Sequence, residues 1–385
     1  MDRLNYVLIG CGKVAEKHLK AALSFPERIT ITALADNRPG AAEKLMSGLG
    51  MSSAAKAAVR VFQDYRDMIQ TASPQIVAIT TPSGSHFQMS LAAIEAGAHV
   101  IIEKPMTLSL DEADVLIQRA REKQVRIAVG HIYRYFPLVA SLADEIRYGK
   151  HGRVLYGDVK VRWGHDQAYY DQAAWRGTYD HDGGAVMNQS IHALDLMTFL
   201  MGSGIVTARG VVDRMTHQME AEDFGLAILG LQNGAWCAFE GTTTTDPKRQ
   251  EATFYVLTEK TEIRGGILAG RVKMTIRSRD GKNHVMAYLK QLLAGRWRES
   301  GLDGIRMLFK PHTELYRDFL AALAENRAPL ADDLSGRAAV ESVLLIYKSA
   351  RSGSEERLPV SPFVITDMKG CFQGSQNDNV RRSHS

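Results

Sequence analysis

The first 130 residues alternate short apolar runs, at 6–9, 31–35, 59–62, 76–80, 99–103 and 125–129, with longer stretches of helical periodicity. Strand-length runs separated by helix-length segments leave few folds open. Right-handed βαβ units give a parallel sheet with helices packed on both faces. Two helix boundaries are written in side chains: Gly97 closes the stretch 85–96 as a C-terminal cap, and Ser109-x-x-Glu112 opens the stretch 109–123 as a capping box.

After about residue 130 the pattern changes. Stretches 154–163, 208–214, 225–231, 235–241 and 253–257 read as strands, and Gln232-Asn233-Gly234 marks a hairpin, so an antiparallel sheet is expected. Helical stretches 185–200 and 313–324 are expected to cover one face of it, and 338–350 to return toward the first domain. The expected division is 1–130, 131–355 and a loosely ordered C-terminal tail at 356–385, whose last residues lack periodicity. The fold class is therefore α/β: an N-terminal doubly wound parallel sheet plus a C-terminal α+β domain with a large, mainly antiparallel sheet.

Composition narrows the function. With 385 residues, 47 basic and 43 acidic, the net charge is only +4, and no dense Lys/Arg run appears, which disfavours nucleic acid as a partner. Cys11, Cys237 and Cys371 are far apart, so neither a metal site nor a disulfide framework is expected, and this usage suits a reducing cytoplasm. The apolar run 6–9 is too short for a signal peptide, no later run is long enough to cross a bilayer, and no membrane partner is expected.

The first strand runs into Gly10-Cys11-Gly12-Lys13-Val14-Ala15, a G-x-G-x-x-A fingerprint that opens a helix. Gly10 permits the tight turn, Gly12 lets the backbone approach a pyrophosphate, and Ala15 permits close helix-to-strand packing. A Rossmann dinucleotide-binding domain follows. Asp36, at the end of the second strand and followed by Asn37 and Arg38, is the candidate for the adenosine ribose hydroxyls, where a carboxylate favours NAD over NADP. Arg38 keeps NADP open, since a guanidinium there also pairs with a phosphate. Thr80, Thr81 and Pro82 follow the fourth strand and line the same crevice, while His86 is a candidate either for cofactor contact or for a helix cap.

The fifth strand ends in Glu103-Lys104-Pro105. Ligands of open parallel sheets sit beyond the carboxyl ends of the strands, so a lysine held there faces a bound molecule. The order of these motifs resembles the Gfo/Idh/MocA oxidoreductases, named for glucose-fructose oxidoreductase and inositol dehydrogenase. The resemblance continues through Gly130-His131-Ile132-Tyr133-Arg134-Tyr135-Phe136-Pro137, the glycine-rich helix start at Gly183-Gly184, His192-x-x-Asp195, and Tyr316-x-Asp318-Phe319 with Gly336-Arg337.

The resemblance implies proton handling by Lys104 and His192, cofactor contacts from Glu103, Lys104 and Arg134, and substrate contacts from Lys104, Tyr133, Asn188 and His192. Oxidising a secondary alcohol requires a base and a cation for the developing alkoxide, roles these two side chains can share in either order. Asp195, one helical turn after His192, is placed to orient the imidazole, although a local helix pair without chemistry also fits. Asn188 and Ser190 depart from the family's usual Asp and Gly. The string around Trp175-Arg176 is similar to members acting on nucleotide sugars, which gives these two residues to cofactor or substrate, or to an interface stack. The implied activity is NAD(P)-dependent oxidation of a sugar, polyol or nucleotide-sugar hydroxyl by a homodimer or homotetramer. A redox-neutral NAD-dependent glycosidase and a non-catalytic dinucleotide-sensing regulator are the alternatives.

Overall fold

A computed structural model describes residues 3–307 and 310–372 of the chain. The chain forms two compact units, Met1–Phe136 with Leu302–Arg337, and Pro137–Gly301 with Ala338–Ser385. The first unit therefore recruits a segment that the sequence reading assigned to the second domain.

In the first unit, strands β1 (Leu4–Ile9), β2 (Ile29–Ala35), β3 (Arg60–Phe62), β4 (Ile76–Ile79), β5 (His99–Ile102) and β6 (Ile127–Val129) form one sheet in the order β3-β2-β1-β4-β5-β6. Every pairing is parallel. The order reverses between β1 and β4, which creates the crevice where such sheets bind ligands. Alternation along β1 sends Tyr6 and Leu8 into one core and Val7 and Ile9 into the other. Leu315, Tyr316, Phe319 and Leu320 belong to the first of these cores. Their helix, Pro311–Glu325, packs on helix Ala15–Leu23 of the same unit, a correction to its expected place over the second sheet.

In the second unit, β7 (Val154–Arg162), β8 (Ile205–Asp213), β9 (Phe224–Leu231), β10 (Trp236–Thr242), β11 (Glu251–Thr258), β12 (Thr261–Leu268), β13 (Arg271–Ser278) and β14 (Glu356–Arg357) form an eight-stranded sheet. Its order is β13-β12-β11-β7-β10-β9-β8-β14, antiparallel except for the β7–β10 pair. The β9–β10 hairpin turns where expected, with Gly234 at φ +82°. Strands β12 and β13, and the helix Val285–Met307, lie in a region that the sequence reading left unassigned.

Two further expectations are corrected. From Ala338 onward the helix Asp333–Ser352 belongs to the second unit, where Ser349 Oγ accepts from Gly210 N–H of β8 at 3.0 Å, rather than returning to the first. The expected loose tail is ordered through residue 372: β14 pairs with β8, and Val360, Ile365 and Met368 are buried. The remainder of that tail lies outside the described residues.

Candidate functional site

The crevice at the carboxyl ends of β1 and β2 is lined by Ile9, Gly10, Asp36, Asn37, Arg38 and Thr81, among others. Gly10 sits at φ +90°, and a Cβ there would stand 2.6 Å from Thr81 Cγ2 and 3.0 Å from the Thr80 carbonyl carbon. Only glycine meets both conditions. Thr80 closes the turn from the other side, donating its hydroxyl to the carbonyls of Gly10 at 2.5 Å and Ile9 at 3.1 Å. A Cβ built on Gly12 meets nothing within 4 Å, so this backbone is open to a ligand. These features fit a dinucleotide pyrophosphate passing over Gly10 and Gly12 toward the start of helix Ala15–Leu23, with Lys13 and Val14 in the turn between.

Asp36 is already engaged. Its carboxylate accepts from Cys11 N–H at 2.7 Å and Arg38 N–H at 2.9 Å, and takes a two-pronged pair from the Arg38 guanidinium at 3.0 Å on each oxygen. Burial opposes ionisation, but the Arg38 side chain and these amides outweigh it and hold the carboxyl below the usual range. A ribose diol can take over the guanidinium's bonds without placing charge against charge, whereas a 2′-phosphate would face the carboxylate directly. The Cys11 thiol, pushed up to about 12 first by burial and then by Asp36, remains protonated and contributes no nucleophile.

His86 is fully buried, with Nδ1 2.7 Å from the Pro105 carbonyl and Nε2 2.9 Å from the Thr81 carbonyl. It ties the turn after β4 to the turn after β5. Arg134 Nη1 donates to the Leu330 carbonyl at 2.9 Å, which anchors the segment after β6 to the inserted region 302–337.

Lys104 follows β5 at a cis Lys104–Pro105 bond, its own N–H 3.3 Å from the Glu103 carboxylate. Glu103 is held from behind by His18, which the sequence reading did not name, and through it by Tyr316, which belongs to the C-terminal motif. His18 Nε2 lies 2.8 Å from Glu103 Oε1, His18 Nδ1 3.1 Å from the Tyr316 hydroxyl, and Tyr316 2.7 Å from the Tyr6 hydroxyl. A carboxylate only accepts, so Nε2 donates; a neutral ring then accepts at Nδ1 from Tyr316, whose oxygen accepts from Tyr6. Gly130 completes the seat, since a Cβ there would lie 3.0 Å from the Glu103 carboxyl. His312 Nε2 stands 4.0 Å from the same oxygen, its imidazole pushed down to about 4 by burial and by His18.

His18, Glu103 and His312 bring three ligand-type atoms within 4.8 Å of one another. Donors sharing one zinc ion at about 2.0–2.1 Å stand roughly 3.3 Å apart. The 2.8 Å contact between His18 and Glu103 is instead that of a hydrogen bond.

In the second unit, Gly183 and Gly184 lead into a π-wound turn, Ala185–Ser190, which continues as the helix Ile191–Met201. Asn188, His192 and Asp195 ride on this continuous segment, with Asp195 buried. Asn188 Nδ2 donates to Asp182 Oδ1, whose other oxygen accepts from Gly177 N–H at 2.9 Å. Ser190 seats against Gly241 of β10, where a Cβ would come within 2.4 Å of its hydroxyl.

Arg176 Cζ lies over the Tyr169 ring at 4.0 Å and over the Trp175 ring at 4.8 Å, and Tyr169 in turn stacks on His165 at 3.8 Å with 5° between planes. Trp175 and Arg176 therefore cluster with Tyr169, the first residue of the same string, and with His165, which the sequence reading did not name. Lys104 and Tyr133 belong to the first unit, and Asn188, His192 and Asp195 to the second.

A parallel six-stranded sheet with a glycine turn, a carboxylate at the end of β2 and a Glu-Lys-Pro strand end, joined in one chain to a mainly antiparallel sheet, fits the class of two-domain NAD-binding oxidoreductases. Comparison with known families agrees. Residues 4–131 match the model described as "Oxidoreductase family, NAD-binding Rossmann fold", and residues 139–264 match "GFO/IDH/MocA C-terminal domain". The chain belongs to the Gfo/Idh/MocA oxidoreductase family.

Among similar proteins is the scyllo-inositol 2-dehydrogenase (NAD(+)) of Bacillus subtilis, 27% identical over 204 residues, which cover 53% of this chain and 55% of that protein. The UDP-N-acetylglucosamine 3-dehydrogenase of Acidithiobacillus ferrooxidans is 32% identical over 158 residues, 41% of this chain and 45% of that protein. The matched regions thus span only about half the length of these two relatives. The WlbA dehydrogenase of Bordetella pertussis, solved in complex with NADH and UDP-GlcNAcA, superposes with a TM-score of 0.77 at 26% identity, covering 93% of this chain and 99% of that one.

Proposed function

We propose that this protein is an NAD-dependent dehydrogenase acting on a secondary hydroxyl of a sugar, polyol or nucleotide sugar. The observation that carries the reading is the dinucleotide crevice at Gly10, Gly12 and Asp36 in one sheet with the Lys104 strand end. NAD, when bound, supplies the acceptor for the hydride leaving the hydroxyl-bearing carbon. The remaining work belongs to the chain. Cys11, Asp36, Asn37 and Arg38 hold the adenosine end; Thr80, Thr81, Pro82 and Glu103 shape the far wall; Lys104 and His192 divide proton acceptance and stabilisation of the developing oxyanion between them. Asp195, one turn beyond His192, orients the imidazole, and Asn188 and Tyr133 contact the substrate. Trp175 and Arg176 face cofactor or substrate.

The test is a panel of inositols, free aldoses and nucleotide sugars, each with NAD and with NADP, followed by NADH absorbance. A net rise in absorbance with at least one class, larger with NAD, is expected. Release of free sugar without net absorbance change would convert the reading to a redox-neutral glycosidase, and silence across the panel with tight NADH binding would favour a dinucleotide-sensing regulator.

The second sheet also supports self-association. Its exposed face presents Val211 (62% exposed), Leu226 (43%), Ile228 (58%) and Trp236 (51%) on neighbouring strands, with Val211 opposite Leu226. These exposed apolar side chains, with Arg209 opposite Ile228 among them, are of the kind found at interfaces, so a homodimer or homotetramer is proposed. Sedimentation that returned only a 42.5 kDa species would remove that part.

No helix among the described residues is long and apolar enough to cross a membrane. With three unpaired cysteines, a reducing cytoplasm is the proposed location.

A further inference from the structure

Glu222 is buried completely, yet nothing in the chemistry above uses it. Its carboxylate receives Val186 N–H at 2.9 Å and the Tyr347 hydroxyl at 2.7 Å on one oxygen, and the Tyr179 hydroxyl at 3.1 Å on the other. Its backbone carbonyl receives Ala185 N–H, also at 2.9 Å. Both leading amides of the π-wound turn Ala185–Ser190 therefore end on a single residue. Such amides are the donors that a helix start leaves without intrahelical partners.

The glycines before this turn fit the same arrangement. A Cβ on Gly184 would come within 2.2 Å of the Glu222 carbonyl oxygen and 2.3 Å of its carboxyl carbon, so the close approach requires glycine there. Asn188 N–H then closes back on the Gly184 carbonyl at 2.9 Å, which makes the position of Asn188 depend on that of Gly184. An apolar side chain of similar volume would fill the space without a buried acid. Burial lifts the Glu222 carboxyl to about 7 despite three side-chain and backbone donors, so the site retains a group that is expensive to keep there.

We propose that Glu222 is a positioning residue, which grips the opening of the π-wound turn through its carboxylate and its carbonyl and thereby places Asn188 and His192. The inference rests on the roles given to those two residues above, but its test does not. Hydrogen exchange of the amides at 185–190 reads the grip directly, and turnover reads its consequence.

Glu222→Leu, which cannot accept a hydrogen bond, is expected to speed exchange in this segment about tenfold or more and to lower kcat by about tenfold, the size of one lost bond to a buried acid. NADH affinity should not change, because the fingerprint lies in the first unit. Glu222→Gln retains an acceptor for Val186 and is expected to restore exchange and kcat to within about threefold of the native protein. Should Glu222→Leu fail to fold, Tyr347→Phe and Tyr179→Phe, which each strip one donor from the carboxylate, should move exchange and kcat in the same direction by smaller factors. Unchanged exchange at 185–190 in the leucine variant, or in both phenylalanine variants, would overturn the inference. Faster exchange with intact turnover would leave the grip standing and overturn instead the roles of Asn188 and His192.

Discussion

Replacing Lys104 by alanine is expected to lower turnover by about two orders of magnitude, while NADH affinity stays within about threefold. The separation follows from where the side chain sits. Lys104 lies beyond β5, in the turn that His86 ties down at the Pro105 carbonyl, whereas the proposed adenosine end of the crevice is built on β1 and β2. On the proposed roles, losing the Lys104 amine removes either the neutral base that accepts the proton or, in its ammonium form, the cation that stabilises the oxyanion, but leaves Gly10, Gly12 and Asp36 in place. Stopped-flow turnover alongside NADH fluorescence titration separates the two quantities. Steady-state turnover at the native level in this variant would remove Lys104 from the chemistry.

The second large effect is expected at Gly10. Alanine there meets a φ of +90° and a Cβ site only 2.6 Å from Thr81 Cγ2 and 3.0 Å from the Thr80 carbonyl group. The turn cannot relax outward, because Thr80 N–H and its hydroxyl hold it to the carbonyls of Ile9 and Gly10. Overpacking and left-handed strain of this kind cost about 1–3 kcal/mol. Displacing the turn separates β1 from β4 where the pyrophosphate is proposed to pass, so Gly10→Ala should weaken NADH binding by at least about tenfold and lower the melting temperature. Titration giving a native NADH affinity would show that the dinucleotide does not cross this turn.

The first sheet was legible because its strands are buried on both faces. Val100-Ile101-Ile102 and Val77-Ala78-Ile79 are almost uninterrupted apolar runs, as parallel strands covered by helices must be. Strands β12 and β13 gave no such signal. They occupy one edge of the second sheet and carry Glu262, Arg264, Lys273 and Arg277 among their apolar residues, so the sequence reading leaves the region unassigned.

The same contrast holds within the site. Gly10, Asp36 and Lys104 announce themselves because each sits at the end of a strand in a short motif. Glu222 has Tyr347 125 residues away and Val186 36 residues away, and reads in the sequence as one more turn carboxylate. His18 is one turn into a helix whose purpose is evident, but its partner Tyr316 lies 298 residues further on. Long-range polar pairs leave no periodicity. The motif Tyr316-x-Asp318-Phe319 was nevertheless visible, and the structure gives it a physical reason: Tyr316 backs His18, Asp318 accepts from Leu330 N–H at 2.7 Å, and Phe319 fills the core of the first unit.

That last arrangement bears on the order in which the protein can be completed on the ribosome. When residue 136 has been synthesised, all six strands of the dinucleotide sheet exist, but Leu315, Tyr316, Phe319 and Leu320 do not. Tyr6, Leu8 and Leu19 then lack part of the surface that buries them, and His18 and Glu103 lack the hydroxyl behind them. Vectorial synthesis thus delivers strands β7 to β13 of the second sheet before the first unit can close, and the nascent chain must carry an unfinished nucleotide fold through the making of most of its neighbour.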